Sequence, residues 1–182
     1  MKTCTLVDAT LVQAARRPPS RRAGTTGDPD ARFTVKRGQP HYGYKAHVGV
    51  DRTHLMIRRV SLTGAHVHDS REFARVAVGD EQMVVADKAY WGEAQRQWCV
   101  KHQVANGIRR RAKRGEKLRP GQRPFNWVLS RMRSGVERVI GGMKHWAGYR
   151  RVRYLGREPN RLELEFKSLC WKMKRLVKVA AG

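Results

Sequence analysis

Short β-branched and apolar runs alternate with segments of helical periodicity along this chain, and that order constrains its fold more than any other feature. It predicts, in sequence, a strand, a hairpin, a helix, a strand, a helix, a short strand and two helices. Strands that alternate with helices form a sheet whose faces the helices cover. The sequence therefore predicts one α/β domain over residues 1–182, with a mixed sheet flanked by helices, and a ribonuclease H-like core is the specific candidate.

The predicted strands are residues 3–12, 42–51, 55–63, 83–86 and 104–108. The second and third form an antiparallel hairpin, because only a three-residue turn separates them. The predicted helices are residues 69–78, opened by a capping box of Asp69 and Glu72, then 90–102, 124–142 and a C-terminal helix from about residue 160. The pair Gly141-Gly142 is expected to end or bend the third helix.

The C-terminal helix carries a regular apolar stripe with i, i+3, i+4, i+7 spacing. A surface helix of a globular domain normally turns such a stripe toward the core. The stripe, which predicts the C-terminal helix, consists of Leu162, Phe166, Leu169, Cys170, Met173, Leu176 and Val177.

The charge is strongly one-sided, with 39 Lys and Arg against 15 Asp and Glu, a net charge of +24. Such a field attracts polyphosphates, so nucleic acid is the first partner to consider and an anionic membrane surface the competing one. The sequence has neither an apolar run long enough to span a bilayer nor the apolar core of a signal peptide, and its three cysteines are scattered. These features predict a soluble cytoplasmic protein without a membrane partner. Two basic loops, at about 13–40 and 109–123, are expected to contact phosphates.

Asp8 and Asp87 differ from the other acidic residues because each lies within or just after an apolar run typical of a central strand. A buried carboxylate needs a cationic partner or becomes protonated. The partner is either an Arg or Lys side chain or a metal ion. Strand-end acids joined by an acid on a helix can surround Mg²⁺ or Mn²⁺, ions that prefer oxygen ligands.

The helix around residues 130–144 supplies the third acid. At 100° per residue, Arg133, Glu137 and Lys144 lie on one face, apart from the apolar stripe of the same helix. A carboxylate between two cations suits a two-metal phosphoryl-transfer site, where the carboxylate holds an ion and the cations hold a nucleic-acid backbone. The alternative is a solvated face with an i,i+4 ion pair from Arg133 to Glu137.

Six ordered motifs then resemble one family: VDATLV around Asp8, HYGYKAHVGVD, HVHDS, ADKAY around Asp87, RMRSGVERVIGGMK around Glu137, and RVRY-x-G. Together they resemble the catalytic domain of bacterial insertion-sequence transposases of the DDE class, in the branch with a Tyr-Arg-Glu-Lys signature. The position of the signature tyrosine is Ser130 in this chain.

The resemblance implies that Asp8, Asp87 and Glu137 are the catalytic, metal-binding triad, with Mg²⁺ or Mn²⁺ as the cofactor. Arg133 and Lys144 match the signature residues implied to position transposon-end DNA, and Lys45 is expected to contact phosphates as well. Double-stranded DNA is thus the implied partner, at transposon ends and at the target, with a homodimer on DNA and a location at the bacterial nucleoid.

Relatives in this family carry an N-terminal helical region ahead of the first catalytic strand, whereas that strand is expected to begin at Thr3 here. The chain therefore resembles the C-terminal portion of such a transposase, a truncated form. Two functions are left open beside metal-dependent cleavage and strand transfer. One is a non-catalytic DNA-binding fragment or regulator of a transposase, and the other is a basic RNA-binding structural protein.

Overall fold

A six-stranded mixed sheet forms the centre of the computed structural model, which describes residues 4–20, 24, 26–112 and 115–181. Its hydrogen-bonded order is β2-β3-β1-β5-β6, and β4 also pairs with β3. The strands are β1 Cys4–Gln13, β2 Arg32–Lys36, β3 Gln39–Asp51, β4 Ile57–Gly64, β5 Met83–Ala86 and β6 Ala105–Ile108.

Antiparallel and parallel pairings meet at β1. This strand runs antiparallel to β3 and parallel to β5, and β5 runs parallel to β6. β3 and β4 form the predicted antiparallel hairpin, which is confirmed. In the parallel register Val7 pairs with Ala86, so the residues that follow them, Asp8 and Asp87, lie side by side.

Successive strand residues point to opposite sides of the sheet, so each face carries its own side chains. Helices cover both faces. Leu6 and Val85 belong to the core beneath the third and fourth helices, whereas Val7 and Val84 belong to the core beneath the first two. The helices are α1 Phe73–Val76, α2 Glu93–Lys101, α3 Gln122–Trp146 and α4 Arg157–Ala180. This arrangement is consistent with a ribonuclease H-like fold and confirms the predicted fold class.

Two local predictions are wrong near the edges of the sheet. The segment 13–40 is not a loop throughout, because Arg32–Lys36 forms β2 against the start of β3. The helix predicted over residues 69–78 is a 3-10 turn at Asp69–Glu72 followed by the single turn α1. Its N-cap is His68, whose ring accepts a hydrogen bond from the backbone N–H of Ser70, so Asp69 does not cap it.

The pair Gly141-Gly142 does not end the third helix, because α3 continues to Trp146. Gly142 lies directly against the ring of Trp171 on α4, where a Cβ atom would overlap that ring. A glycine is weak in a helix by itself, but here it allows two helices to approach closely. Tertiary packing therefore maintains α3 through the pair.

The predicted C-terminal helix forms as α4, but its apolar stripe does not face the core. The buried side of α4 holds Asn160, Leu164 and Ser168 instead. Trp171 Nε1 and Arg175 Nε on the same side donate hydrogen bonds to the backbone carbonyls of Leu55 and His54, both at 2.8 Å. These polar anchors hold the less apolar side inward, and the stripe faces outward.

No helix among the described residues combines the length and the apolar character needed to cross a bilayer.

Candidate active site

Three elements bring the predicted acidic residues to one place. Asp8 lies in the middle of β1, and Asp87 directly follows β5, the strand paired in parallel with it. Helix α3 packs over β1 and β5 and carries Arg133 and Glu137, which are one helical turn apart. Residues separated by more than a hundred positions thus meet at one face of the sheet.

Arg133 lies at the centre of these acids. Its Nη2 is 2.6 Å from Asp8 Oδ2 and 3.7 Å from Glu137 Oε1, and its Nη1 is 3.5 Å from Asp87 Oδ1. The Arg133 residue is only 8% exposed, whereas the side chain of Glu137, one turn further along α3, is 60% exposed. The predicted i,i+4 pair with Glu137 forms, and the same guanidinium also joins the two strand acids.

A second arginine, Arg109, was not singled out by the sequence analysis. Its Nη1 is 3.1 Å from Asp87 Oδ1. The register explains this contact, because Ile108 at the end of β6 pairs with Ala86 at the end of β5, so the next residues are neighbours. A basic residue directly after a strand parallel to the Asp87 strand was the signal that could have identified it.

Burial controls the charge state of Asp8. It raises the pKa of this carboxyl group above the usual aspartate value, and the charge of Arg133 and a hydrogen bond from the Ala9 N–H oppose the rise. The pKa of Arg133 is also raised: burial opposes the increase, and the charges of Asp8 and Asp87 outweigh burial. The pair is therefore held together strongly but at a desolvation cost.

The predicted DNA contacts Lys45 and Lys144 have surroundings of their own. Lys45 Nζ is 2.9 Å from Asp69 Oδ1 and donates to the Val67 carbonyl at 2.7 Å, so it ties β3 to the segment before α1. Lys144 lines a pocket of about 380 Å³ together with Lys36 and Arg150. Burial lowers the pKa of Lys144, and the charges of Lys36 and Arg150 lower it further. This pocket is cationic, as a phosphate contact requires.

The cluster offers carboxylate oxygens as its donors. Within residues 4–20, 24, 26–112 and 115–181, no three His, Cys, Asp or Glu side chains are grouped closely enough to hold an ion. The three carboxylates nevertheless converge on one cationic group, the Arg133 guanidinium, and carboxylate oxygen is the ligand that Mg²⁺ and Mn²⁺ prefer. The carboxylates are therefore the type of ligand that such an ion requires, and Arg133 supplies the positive charge between them.

A family model described as the transposase DDE domain matches residues 1–173. Because the match covers more than half of the 182 residues, the chain belongs to the transposase DDE domain family. Membership makes it a transposase, an enzyme of the polynucleotidyl transferase type involved in DNA recombination, and DNA is the substrate that the family implies.

Proposed function

We propose that this chain is a transposase of a bacterial insertion sequence, in the Tyr-Arg-Glu-Lys branch, that cleaves and joins DNA with a divalent metal ion. The observation that carries the proposal is the convergence of Asp8, Asp87 and Glu137, from three separate elements, on a single cationic group. Structural ion pairs join two residues in most cases, whereas three carboxylates around one position provide the negative charge that a hard divalent ion needs.

Asp8, Asp87 and Glu137 would hold Mg²⁺ or Mn²⁺. When bound, the ion would activate a water molecule or a DNA 3′-hydroxyl and stabilise the leaving oxygen. The strand carboxylates are fixed by the β1–β5 register, whereas the Glu137 side chain is 60% exposed and has more freedom to adjust. Two rigid ligands and one mobile ligand suit a site that admits its ion from solvent.

Arg133 and Lys144 would contact the phosphates of the bound DNA. Arg133 keeps its charge at all ordinary pH values and forms bidentate contacts with phosphates as readily as with carboxylates. When a phosphate and a metal ion bind together, the Arg133 guanidinium would therefore pair with the phosphate, and the carboxylates would bind the ion. Lys144 lies on the same helix face, about 16 Å from Arg133 along the helix axis.

The test uses joining of pre-cut DNA ends from the element that encodes this chain. Asp87→Asn should reduce Mg²⁺-dependent joining by at least about 100-fold, because the neutral amide is a weaker ligand, while DNA affinity stays within about threefold. Glu93→Gln on α2 is the matched control, since Glu93 is an exposed acid paired with Arg96. Equal joining by wild type and Asp87→Asn would refute the assignment.

A second function is supported by the two arginines that neutralise the cluster. Arg133 and Arg109 together supply the cationic partners that Asp8 and Asp87 need, so the acids could be structural in a non-catalytic DNA-binding regulator of a transposase. This function predicts salt-sensitive DNA binding without cleavage or joining in Mg²⁺ or Mn²⁺. The same joining assay, run with the wild-type chain, separates the two functions.

A further inference from the structure

A groove of about 580 Å³ lies between α3, the turn that joins β3 to β4, and α4. The described side chains that line it include four arginines, one exposed tryptophan and no acidic residue. The groove arginines are Arg52 on the turn, Arg131 and Arg138 on α3, and Arg175 on α4. Positive charges that share one groove repel one another, so the groove favours an anionic ligand.

The four groove arginines differ from others in the domain in their partners. Arg58 and Arg96 form salt bridges with acids, whereas none of the groove arginines does so among the described residues. Asp51, the acid next to Arg52 in the sequence, instead accepts a hydrogen bond from the His54 N–H and lies 3.4 Å from His54 Nδ1. The groove therefore keeps its positive charge available to a ligand.

Contacts within the fold hold two of these arginines in place. The Arg131 guanidinium lies over the ring of Trp127, with 4.9 Å between Cζ and the ring centroid. Arg175 Nε donates a hydrogen bond to the His54 carbonyl at 2.8 Å, which fixes its guanidinium beside the β3–β4 turn. Stacking on a ring and a single Nε bond leave the other N–H donors available. Because these side chains are already ordered, binding a ligand costs less conformational entropy.

The groove lies on the opposite flank of α3 from the acidic cluster. At 100° per residue, Arg131 and Arg138 lie about 140–160° around the helix from Arg133. These two groove arginines are about 10.5 Å apart along the helix axis. That distance matches about three phosphates of one DNA strand, at about 3.4 Å per step. A phosphate bound in the groove is therefore a different one from a phosphate bound by Arg133.

We propose that this groove binds the backbone of a second DNA segment, the target of the joining reaction. This role rests on the proposed function, because joining uses two DNA segments, the cleaved end and the target. Both must meet at the acidic cluster, and contacts on the opposite flank of α3 would hold the target without occupying the site of the end. The described lining of the groove contains no Asn or Gln, and phosphate contacts position DNA without reading its sequence.

A binding assay with two duplexes tests the groove without requiring chemistry. The chain is bound to one equivalent of an unlabelled pre-cut end duplex in the absence of divalent metal, and a labelled duplex of random sequence is then added. Arg131→Gln combined with Arg138→Gln should weaken binding of the random duplex at least about tenfold and flatten its salt slope by nearly two. The affinity for a labelled end duplex, measured alone, should stay within about threefold.

Arg96→Gln combined with Arg161→Gln is the matched control. It removes the same two charges from exposed arginines that already have acid partners, so binding of the random duplex should change less than about threefold. Equal weakening by the two double variants would overturn the proposal, because only bulk charge would then matter. Equal loss of affinity for the end duplex and the random duplex would also overturn it, since the groove would then hold the end.

A joining assay separates this proposal from the metal chemistry. In an active chain, the groove variant should raise the target concentration needed for half-maximal joining at least about tenfold, with little change in the maximal rate. A lower maximal rate at saturating target would contradict a role in target binding. A wild-type chain that binds both duplexes but joins neither in Mg²⁺ nor in Mn²⁺ refutes the proposed function, and the binding assay then decides the groove by itself.

Discussion

At the scale of single residues, Arg133 is the side chain that joins the acidic cluster. It is buried on α3 and within 3.7 Å of all three predicted acids. A guanidinium in that position makes the negative cluster tolerable in a folded chain, because unpaired carboxylates there would be costly. Under the proposed function, the same contacts make it the group that a metal ion would have to replace. The structural role of Arg133, pairing with these acids, therefore competes with its proposed role in binding phosphate.

Removing the charge of Arg133 should destabilise the chain. Arg133→Gln leaves Asp8 partly buried without its cation, so we expect the free energy of unfolding at neutral pH to fall by about 3 kcal/mol, the lower part of the range for a broken buried pair. The double variant Arg133→Gln with Asp8→Asn should recover most of this loss in urea denaturation. If the two losses simply add, Asp8 is not the partner that matters.

The buried His47 should make the fold acid-sensitive. Burial lowers the pKa of His47 from 6.5 to about 4, and its Nε2 is 3.0 Å from Thr63 Oγ1. Between about pH 6.5 and 4, His47 is therefore protonated in the unfolded state but neutral in the folded state. The free energy of unfolding falls as the pH drops through this range, by about 3 kcal/mol in total. Urea denaturation of wild type and His47→Gln at several pH values measures this. An unchanged pH slope in the variant would assign the loss to other groups.

Acidic residues of the site could be predicted where they interrupt or directly follow an apolar run. Asp8 and Asp87 were found in this way, and their need for a cation followed from burial alone. Which cation each acid meets was not predictable. Arg109 lies at the edge of a segment with many arginines, and only the β5–β6 register distinguishes it from the others. Similarly, Lys45 is paired with Asp69 through a tertiary contact that no local pattern encodes.

At the scale of elements, the contact between α3 and α4 depends on a missing side chain. Gly142 touches the Trp171 ring, and Trp171 cannot move freely because its Nε1 donates to the Leu55 carbonyl at 2.8 Å. Gly141, its neighbour in sequence, has open space where a Cβ atom would be. The adjacent glycines therefore provide a matched pair of positions in one helix.

Alanine at these two positions should have opposite effects. Gly141→Ala should raise the free energy of unfolding by up to about 1 kcal/mol, the difference in helix propensity. Gly142→Ala should lower it by about 1–3 kcal/mol, because the added methyl group overlaps the Trp171 ring. Thermal unfolding of both variants provides the comparison. Stabilisation by both substitutions would show that the two helices separate at little cost.

The strands were easier to predict than the orientation of the helices. Met83–Ala86 and the β3–β4 hairpin follow directly from runs of apolar residues and a short turn. For α4, periodicity located the helix and its apolar stripe, but the usual rule that such a stripe faces the core does not hold here. Leu164 and Trp171 on the opposite side pack against the sheet, so hydrophobicity alone could not decide which side faces inward.

At the scale of the whole molecule, the net charge of +24 works against compactness and in favour of a polyanion. Many acidic residues are already paired with arginine or lysine inside the domain, as in the clusters around Arg58 and Arg133. The remaining cations are available to a ligand, among them Arg16 and Arg17, which are exposed in the segment after β1. A chain of this kind is expected to gain affinity for DNA mainly by neutralising phosphates.

DNA affinity should therefore depend steeply on salt. If about six to ten phosphates are neutralised, the affinity for duplex DNA should fall by about 10³–10⁵ between about 50 and 200 mM salt, because condensed counterions are released on binding. Replacing Arg16 and Arg17 together by Gln should flatten the slope of log Kd against log salt by nearly two, if both contact phosphates. Arg96→Gln, at an exposed arginine paired with Glu93, should leave the slope unchanged. Fluorescence anisotropy across a salt series measures all three, and a flat response of the wild-type chain would mean that the charge serves another purpose than DNA binding.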